Sequence, residues 1–228
     1  MQMSTIIAIF APHSKEQLMK KLMILAFALL AGVFTANAQI SIGANSGGVL
    51  GGDTNKNATF GPGYFGELQV RYIMKNGWYV SFAPRFESSS YRSKATSPDD
   101  FYYYTNSMEF PFHYGFSKPA GDKINFFLDF GPSMRWIMTN DWYGPVYGVG
   151  LGSKIHPKDL GYNKLFNCDL GATVGLEVWN HMKLFAGFDF GVLPENTKAF
   201  YENFEVDPTH SFSVRVGVGY FFTFKKRK

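Results

Sequence analysis

Apolar and polar side chains alternate along most of the chain after residue 38, and this alternation constrains the fold more than any other feature. Between Asn125 and Thr139 the even positions are large and apolar apart from one proline, whereas most odd positions are small, polar or charged. The same period of two recurs over residues 182–192 and 211–224. Because successive side chains of a strand point to opposite faces, the pattern predicts strands with one apolar and one polar face.

The alternating segments and the connections between them predict a closed barrel. Eight strands are predicted near residues 39–46, 63–75, 77–89, 104–117, 124–139, 165–179, 182–192 and 211–224. Short turns at 76–77, 119–123 and 180–181 alternate with long loops at about 47–62, 90–103, 140–164 and 193–210. This asymmetry is typical of outer-membrane barrels, which have short periplasmic turns and longer extracellular loops. We therefore expect an all-β, eight-stranded antiparallel up-and-down transmembrane β-barrel in the bacterial outer membrane, with both termini in the periplasm.

The N-terminal residues have the features of a secretory signal. A pair of lysines precedes an apolar run over 22–34, and small residues stand three and one positions before Gln39. A charged region, a short apolar region and a small-residue cleavage site define a signal peptide. The sequence therefore predicts a signal peptide over 1–38, with translation starting at Met19, and a barrel domain over 39–228.

Composition narrows the functional class. The single cysteine excludes an intrachain disulfide framework, and a net charge of +4 is too small for a nucleic-acid-binding surface. Aromatic residues make up 18% of the chain and cluster near predicted strand ends, like the girdles of a membrane barrel. They are Tyr72, Trp78 and Trp179 near the short turns, and Trp136 and Trp142 near a long loop. A soluble lipocalin-like barrel is the alternative, but recurrent glycines on the polar face favour a crowded lumen.

The polar faces of the predicted strands carry charges of both signs. Eleven of these residues are predicted to form an ion network inside the barrel: Glu67, Arg71, Arg85, Glu87, Glu109, Asp129, Arg135, Asp169, Glu177, Asp189 and Arg215. Lys183 lies on the same face. Buried charges require partners, so mixed signs predict internal ion pairs that fill a narrow lumen. A pore of one selectivity would be expected to show one sign.

No motif in the sequence predicts a catalytic, cofactor or metal site. Residues 61–66 match the letters of a dinucleotide-binding glycine motif, but a predicted strand follows them where a helix is required. His113 shares a face with Glu109, which predicts either a proton-handling pair or an ordinary hydrogen bond in the lumen. A Ser133–His113 pair on adjacent strands is conceivable, but nothing else points to a nucleophile. We therefore expect no catalytic residue, no cofactor and no metal.

Three prolines fall inside predicted strands. They are Pro84, Pro111 and Pro132. Each removes a backbone donor from the ladder, and a closed barrel has no edge strand where that loss would be harmless. The sequence therefore predicts β-bulges or local kinks at these positions.

Four segments resemble a known family of barrels. They are Met108–Pro111, Phe127–Ser133, Asp169–Glu177 and the closing Val216–Phe222. With these segments the chain is similar to the PorT-like family of Bacteroidetes outer-membrane β-barrel proteins. The resemblance implies a transmembrane barrel, and it implies a link to protein secretion or gliding, since some relatives act there.

The predicted architecture narrows the function without specifying it. Eight strands leave an interior just wide enough for side chains, which argues against a general porin. We expect a non-enzymatic outer-membrane protein that contacts lipid, and that contacts other envelope proteins through its outer loops or rims. The aromatic run Phe101–Tyr104 is either part of such a contact surface or part of the outer girdle. A narrow or gated channel for small solutes and a lipid-modifying enzyme are the alternatives.

Overall fold

The architecture was analysed in a computed structural model of the chain. It describes residues 39–54, 58–93, 101–143, 154–155, 164–179, 181–198, 202 and 207–224. The predicted signal peptide over 1–38 lies outside the described residues. None of the helical residues in the described ranges belongs to a helix long and apolar enough to span a bilayer.

The described residues form an antiparallel sheet of ten strands. These are β1 (Gln39–Asp53), β2 (Ala58–Ile73), β3 (Trp78–Phe82), β4 (Arg85–Ser93), β5 (Phe101–Gly121), β6 (Ile124–Tyr143), β7 (Lys154–Ile155), β8 (Phe166–Val178), β9 (Met182–Gly191) and β10 (Ser211–Phe224). β1 pairs with both β2 and β10, so the sheet closes on itself. β3 and β4 both lie between β2 and β5 and act as one strand of the ring. β7 pairs only with the end of β6, which leaves eight strands in the described ring.

The three strand prolines are accommodated without a register shift. The ring strand is interrupted at Ala83–Pro84, but β3 and β4 pair with their neighbours in one continuous register. The carbonyl of Pro84 accepts a hydrogen bond from the Leu68 N–H at 3.0 Å, and that of Pro111 accepts one from Ala83 at 3.2 Å. These prolines thus still contribute acceptors to the ladder. The prediction of bulges is wrong for Pro111 and Pro132, because register shifts occur elsewhere, at Phe60/Tyr64, Asn106/Ser107 and Pro119/Gly121.

The connections define two rims. The turn rim holds the short connections at 74–77, 122–123 and 179–181 together with the start of β1 and the end of β10. The loop rim is formed by the opposite ends of the described strands. At the turn rim Gly77 has φ of 83°, a left-handed conformation that favours glycine.

The prediction of a long loop over about 47–62 is wrong. β1 continues to Asp53 and β2 begins at Ala58, so the connection is only 54–57. The run of glycines there interrupts the apolar alternation but serves close strand packing. A Cβ on Gly61 would collide with the backbone carbonyl of Ser90 on the neighbouring strand β4. The loop predicted at 90–103 is also shorter at both ends, and the one predicted at 140–164 begins later, after Tyr143. The connection predicted at 193–210 agrees to within one residue.

The two faces of the sheet have opposite character. Outward-facing side chains are large and apolar; Val216 is 59% exposed, and Phe126 and Phe130 are also exposed. Inward-facing side chains such as Asp129 and Arg215 are buried. A closed barrel satisfies every backbone group within the sheet, and such an apolar exterior is suited to lipid rather than water. The fold is therefore an all-β, eight-stranded antiparallel up-and-down transmembrane β-barrel of the outer-membrane type.

Aromatic side chains lie near both rims of the outer face. Trp78 stacks on Tyr114 with ring centroids 5.0 Å apart, and Trp179 is exposed beside the last short turn. Trp136 stacks on Phe166 at 6.4 Å towards the loop rim. The side chain of Trp142, the remaining tryptophan predicted for this girdle, lies outside the described residues.

Candidate functional site: the barrel lumen

All eleven residues proposed for the lumen network lie on the inner face of the barrel. Nine of them are buried, whereas the side chains of Arg135 and Glu177 have relative solvent exposures of 11% and 15%. They divide into two networks. The loop-side network comprises Glu67, Arg85, Glu87, Glu109, Arg135, Asp169, Asp189 and Arg215, and the turn-side network comprises Arg71, Asp129 and Glu177 together with Lys183.

Arg85 at the start of β4 is the centre of the loop-side network. Its guanidinium bonds to the carboxylates of Glu109 and, at 2.8 Å, Asp189. Glu67 and Glu87 lie slightly farther away, with N···O distances of 3.7 and 3.8 Å. One buried cation therefore contacts carboxylates from β2, β4, β5 and β9 and ties these parts of the ring together.

Two further arginines complete the loop-side network. Arg215 Nε lies 2.7 Å from Asp189 Oδ2, so that Asp189 is shared between Arg215 and Arg85. Arg135 Nε lies 3.2 Å from Asp169 Oδ2, and Arg135 also donates to Ser211. Charge-assisted bonds of this kind are stronger than neutral ones, and here they join β9 to β10, β6 to β8 and β6 to β10.

A small cavity of about 20 Å³ lies within the loop-side network. A single water molecule needs about 10–15 Å³ by this measure, so the cavity accommodates one or two. Glu195, from the segment that follows β9, lines it and is buried. Burial raises the pKa of the Glu195 carboxyl. Tyr91 donates to Glu195 at 3.4 Å and stacks on Tyr103 with ring centroids 4.5 Å apart.

Aromatic rings surround the cations of the turn-side network. Arg71 bonds to Glu177, and its guanidinium carbon lies 4.6 Å from the ring centre of Phe221 and 4.7 Å from that of Tyr79. Lys183 Nζ lies 4.4 Å from the ring centre of Phe127. Cation–π attraction of this kind is strongest where water is excluded.

A patch of inward-facing apolar side chains was missed at the sequence level. Val49, Phe65, Phe127 and Phe185 form a buried cluster inside the barrel. Alternation alone assigns Phe65, Phe127 and Phe185 to the polar face, and the signal that would have identified them is an aromatic residue on that face. Val49 falls in the loop predicted at about 47–62. The cluster adds apolar packing to a lumen where ion pairs alone were expected.

His113 pairs with a different acid from the one predicted. Its Nδ1 lies 2.8 Å from Asp129 Oδ1, and Asp129 also accepts a bond from the Tyr79 hydroxyl at 2.8 Å. Glu109 instead contacts Arg85. The physical reason is distance, since residues four apart on a strand are separated by about 13 Å. Asp129, by contrast, lies on the strand paired with that of His113.

The conceivable Ser133–His113 pair does not form. The Ser133 hydroxyl is buried and has no hydrogen-bond partner among the described residues, and neither does Nε2 of His113. A nucleophile needs a base within hydrogen-bond reach. Ser81 lies directly across from His113 on β3, but its hydroxyl also has no hydrogen-bond partner among the described residues.

The aromatic run at the start of β5 is divided between the two faces. Tyr102 and Tyr104 are exposed on the outside, and Tyr104 packs edge-on against Tyr143 at 5.4 Å. Tyr103 faces inward against Tyr91. The side chain of Phe101 lies outside the described residues. Only alternate members of the run therefore contribute to an outer aromatic surface.

Comparisons with known proteins give structural likeness only. No family model and no curated protein sequence matches the chain. Among solved structures it is similar to neisserial surface protein A, with 13% identity over 79% of this chain and 96% of that one and a TM-score of 0.41. Ail of Yersinia pestis, in complex with the heparin analogue sucrose octasulfate, is 12% identical over 82% of this chain and 100% of that one, with a TM-score of 0.40. The outer membrane protein OprG of Pseudomonas aeruginosa is 11% identical over 82% of this chain and 96% of that one, with a TM-score of 0.36.

Proposed function

We propose that the protein is a non-enzymatic, non-conducting barrel of the bacterial outer membrane that acts through its loops and rims. The observation that carries this proposal is the filled lumen. Arg85 joins carboxylates of four strands, and the apolar cluster around Phe127 occupies the interior beside it. A barrel of eight strands has room for little more than such side chains.

The channel alternative is disfavoured by the size of the cavities. The cavity of about 20 Å³ in the loop-side network is separate from a second cavity of about 10 Å³ beside His113 and Lys183. Each of these two described cavities holds one or two water molecules, so neither is itself a hydrated path across the membrane. Conduction would require the ion network and the aromatic cluster to rearrange together.

The enzyme alternative has no supporting constellation in the described lumen. His113 is held by Asp129 at 2.8 Å, but its other ring nitrogen has no hydrogen-bond partner among the described residues. An Asp–His pair of this type orients a base only when a nucleophile completes it. In this barrel the pair is better explained as a structural link between β5 and β6.

The proposal includes an orientation and a class of partner. We place both termini and the short turns in the periplasm and the loop rim outside, since short turns at the periplasmic side are the rule for such barrels. Lipid surrounds the apolar belt, and other envelope proteins bind at the loops or rims. A secretion-linked role, which the resemblance to PorT-like barrels implies, belongs to the same proposal.

Planar-bilayer recording tests the non-conducting barrel. Purified protein reconstituted in a bilayer is expected to show no steady single-channel conductance. An Arg85→Ala, Phe127→Ala double variant, which removes both the ionic and the aromatic filling, provides the matched control if it folds. A steady conductance from the unmodified barrel would establish the channel alternative instead.

Affinity capture tests the proposed role of the loops. Deleting residues 144–153 is expected to leave the barrel folded, because loops off the sheet contribute little to closure. Envelope proteins that co-purify with the intact barrel should then be lost. Retention of the same partners by the shortened protein would transfer the contact to the turn rim or the barrel wall.

A further inference from the structure

The cavity in the loop-side network is lined by more acidic than basic side chains. Its five carboxylates come from Glu87, Glu109, Asp169, Asp189 and Glu195. Three guanidiniums contact members of this set, those of Arg85, Arg135 and Arg215. With all groups ionised, these five carboxylates and three guanidiniums carry a surplus of two negative charges, and Glu67, which contacts Arg85 from outside the cavity, raises the surplus to three. Buried charge of one sign requires a counter-charge, and one divalent cation would supply two of these three positive charges.

Three of the carboxylates are spaced to share one ion. Glu87, Glu109 and Asp189 each offer an oxygen, and these three atoms lie within 4.8 Å of one another. Calcium binds oxygen at about 2.3–2.6 Å, so two oxygens on one calcium ion lie at most about 5 Å apart. The three strands β4, β5 and β9 thus place their acids at a separation that fits a cation.

The arginine contacts leave oxygen atoms of these acids available. Arg85 and Arg215 both use Oδ2 of Asp189, and Oδ1 of Asp189 has no hydrogen-bond partner among the described residues. Arg85 bonds to Oε2 of Glu109 and leaves Oε1 with only a 3.5 Å contact from Ser107. Glu87 meets Arg85 only at 3.8 Å and makes no hydrogen bond through Oε2.

The hydroxyl of Thr105 is an independent sign that something polar occupies this cavity. Thr105 is only 6% exposed, it lines the same cavity, and its Oγ1 has no hydrogen-bond partner among the described residues. A buried hydroxyl without a partner is costly, so such groups normally face a water molecule or an ion. The cavity volume of about 20 Å³ leaves room for one such occupant.

We infer that the loop-side lumen binds one divalent cation of the oxygen-preferring class, such as calcium, through Glu87, Glu109 and Asp189, with Thr105 beside it. Carboxylate and hydroxyl oxygens, without nitrogen or sulfur donors, select calcium or magnesium over the softer transition metals. The ion would offset two of the surplus negative charges and join β4, β5 and β9 beneath the loop rim. This inference goes beyond the proposed function and does not depend on it.

Calcium titration of the full mature chain, folded in detergent micelles and stripped with a chelator, tests the inference. Isothermal calorimetry is expected to show saturable binding of one ion per barrel. Glu87→Gln should weaken binding at least about tenfold, as loss of a ligand or its support typically does. Glu87 is the variant of choice because its described contact with Arg85 is the longest of the three acids.

Glu67→Gln is the matched control. Glu67 also faces Arg85, at 3.7 Å, but it lies outside the trio and does not line the cavity. It removes the same formal charge without removing an oxygen of the proposed site, so calcium affinity should fall less than in Glu87→Gln. Should Glu87→Gln fail to fold, Thr105→Val replaces it, and its affinity should also fall.

Three results would overturn the inference. The first is absence of saturable calcium binding to the unmodified barrel, which would leave shared protons as the counter-charge. The second is equal weakening by Glu67→Gln and Glu87→Gln, which would indicate diffuse electrostatic attraction only. The third is unchanged affinity in both Glu87→Gln and Thr105→Val.

Discussion

The two halves of the lumen are built from the same alternating strands yet stabilise their charges differently. In the turn-side half, Arg71 and Lys183 lie against aromatic rings and are matched in number by Asp129 and Glu177. In the loop-side half, three guanidiniums face a larger number of carboxylates, and aromatic rings contribute less. Aromatic faces partly replace the water lost by a buried cation, so Arg71 and Lys183 do not rely on carboxylates alone. Clustered buried carboxylates, by contrast, are stabilised only by the cations that contact them. The comparison predicts that the same kind of substitution has unequal effects in the two halves.

The largest expected effect is at Arg85 in the loop-side half. Arg85→Met leaves four buried carboxylates without their shared cation. Breaking a buried ion pair costs about 3–5 kcal/mol, and we expect the upper end of that range here. Urea unfolding of the barrel in lipid vesicles, followed by tryptophan fluorescence, measures the free energy of unfolding. A loss below about 1 kcal/mol would mean that the carboxylates do not depend on Arg85.

The ring of Phe127, which contacts both cations of the turn-side half, is expected to give the next largest effect. Phe127→Ala removes a fully buried ring that packs in the cluster with Phe65 and Phe185 and lies beneath Lys183. Large-to-small changes of buried aromatic residues cost at least about 3 kcal/mol. Phe126→Ala, at the exposed neighbouring position that faces lipid, is the matched control in the same unfolding assay. Equal losses in the two variants would show that the inward ring is not part of a packed core.

Lys183→Met sharpens the comparison because it repeats the Arg85 substitution in the other half. Lys183 donates to Gln69 at 3.2 Å and otherwise lies over the rings of Phe127 and Phe185. A methionine of similar length packs well against the same rings. Among the described residues Lys183 makes no direct ion pair, whereas Arg85 contacts four carboxylates. We therefore expect a smaller loss in the free energy of unfolding than for Arg85→Met, because no carboxylate loses a directly bonded cation. A loss comparable to that of Arg85→Met would remove the distinction between the halves.

The division between faces was predictable from the sequence, but the pairing of the lumen side chains was not. Alternate side chains of a strand point to opposite faces, so the period of two places Asp129 and Arg215 inside and Val216 outside. A one-residue change of register would exchange the two faces, which is why this assignment is strongly specified. The partner of His113 depends on how β5 and β6 are aligned, which residue spacing within one strand does not reveal. That is why Glu109 was a plausible partner in the sequence and Asp129 is the partner in the fold.

The ends of β1 and β2, where glycines are frequent, could not be predicted from the sequence either. Over 47–62 the glycines remove the apolar side chains on which alternation depends, so the segment resembles a loop. In the fold, β1 and β2 continue through it because small residues allow the strands to approach closely. The signal of a strand there is steric rather than hydrophobic, and it becomes visible only once the neighbouring strand is known.

The smallest expected effect concerns the pH dependence of the loop-side half through Glu195. Burial raises the pKa of this carboxyl in the folded barrel, and Asp53 adds to the rise, while Arg135 opposes it. The folded state therefore binds a proton more tightly than the unfolded chain does. The contribution of Glu195 to stability is present below the unfolded pKa and is lost as pH rises through the folded pKa.

Glu195→Gln removes this titration while keeping the side chain's size. The amide cannot ionise, so the variant should lose less stability than the unmodified barrel as pH is raised from about 4 towards neutrality. Unfolding in urea at a series of pH values measures the difference, and Glu202→Gln, an exposed acid in the same connection, is the control. If the two barrels show parallel pH profiles, Glu195 is not held as a buried acid at the cavity.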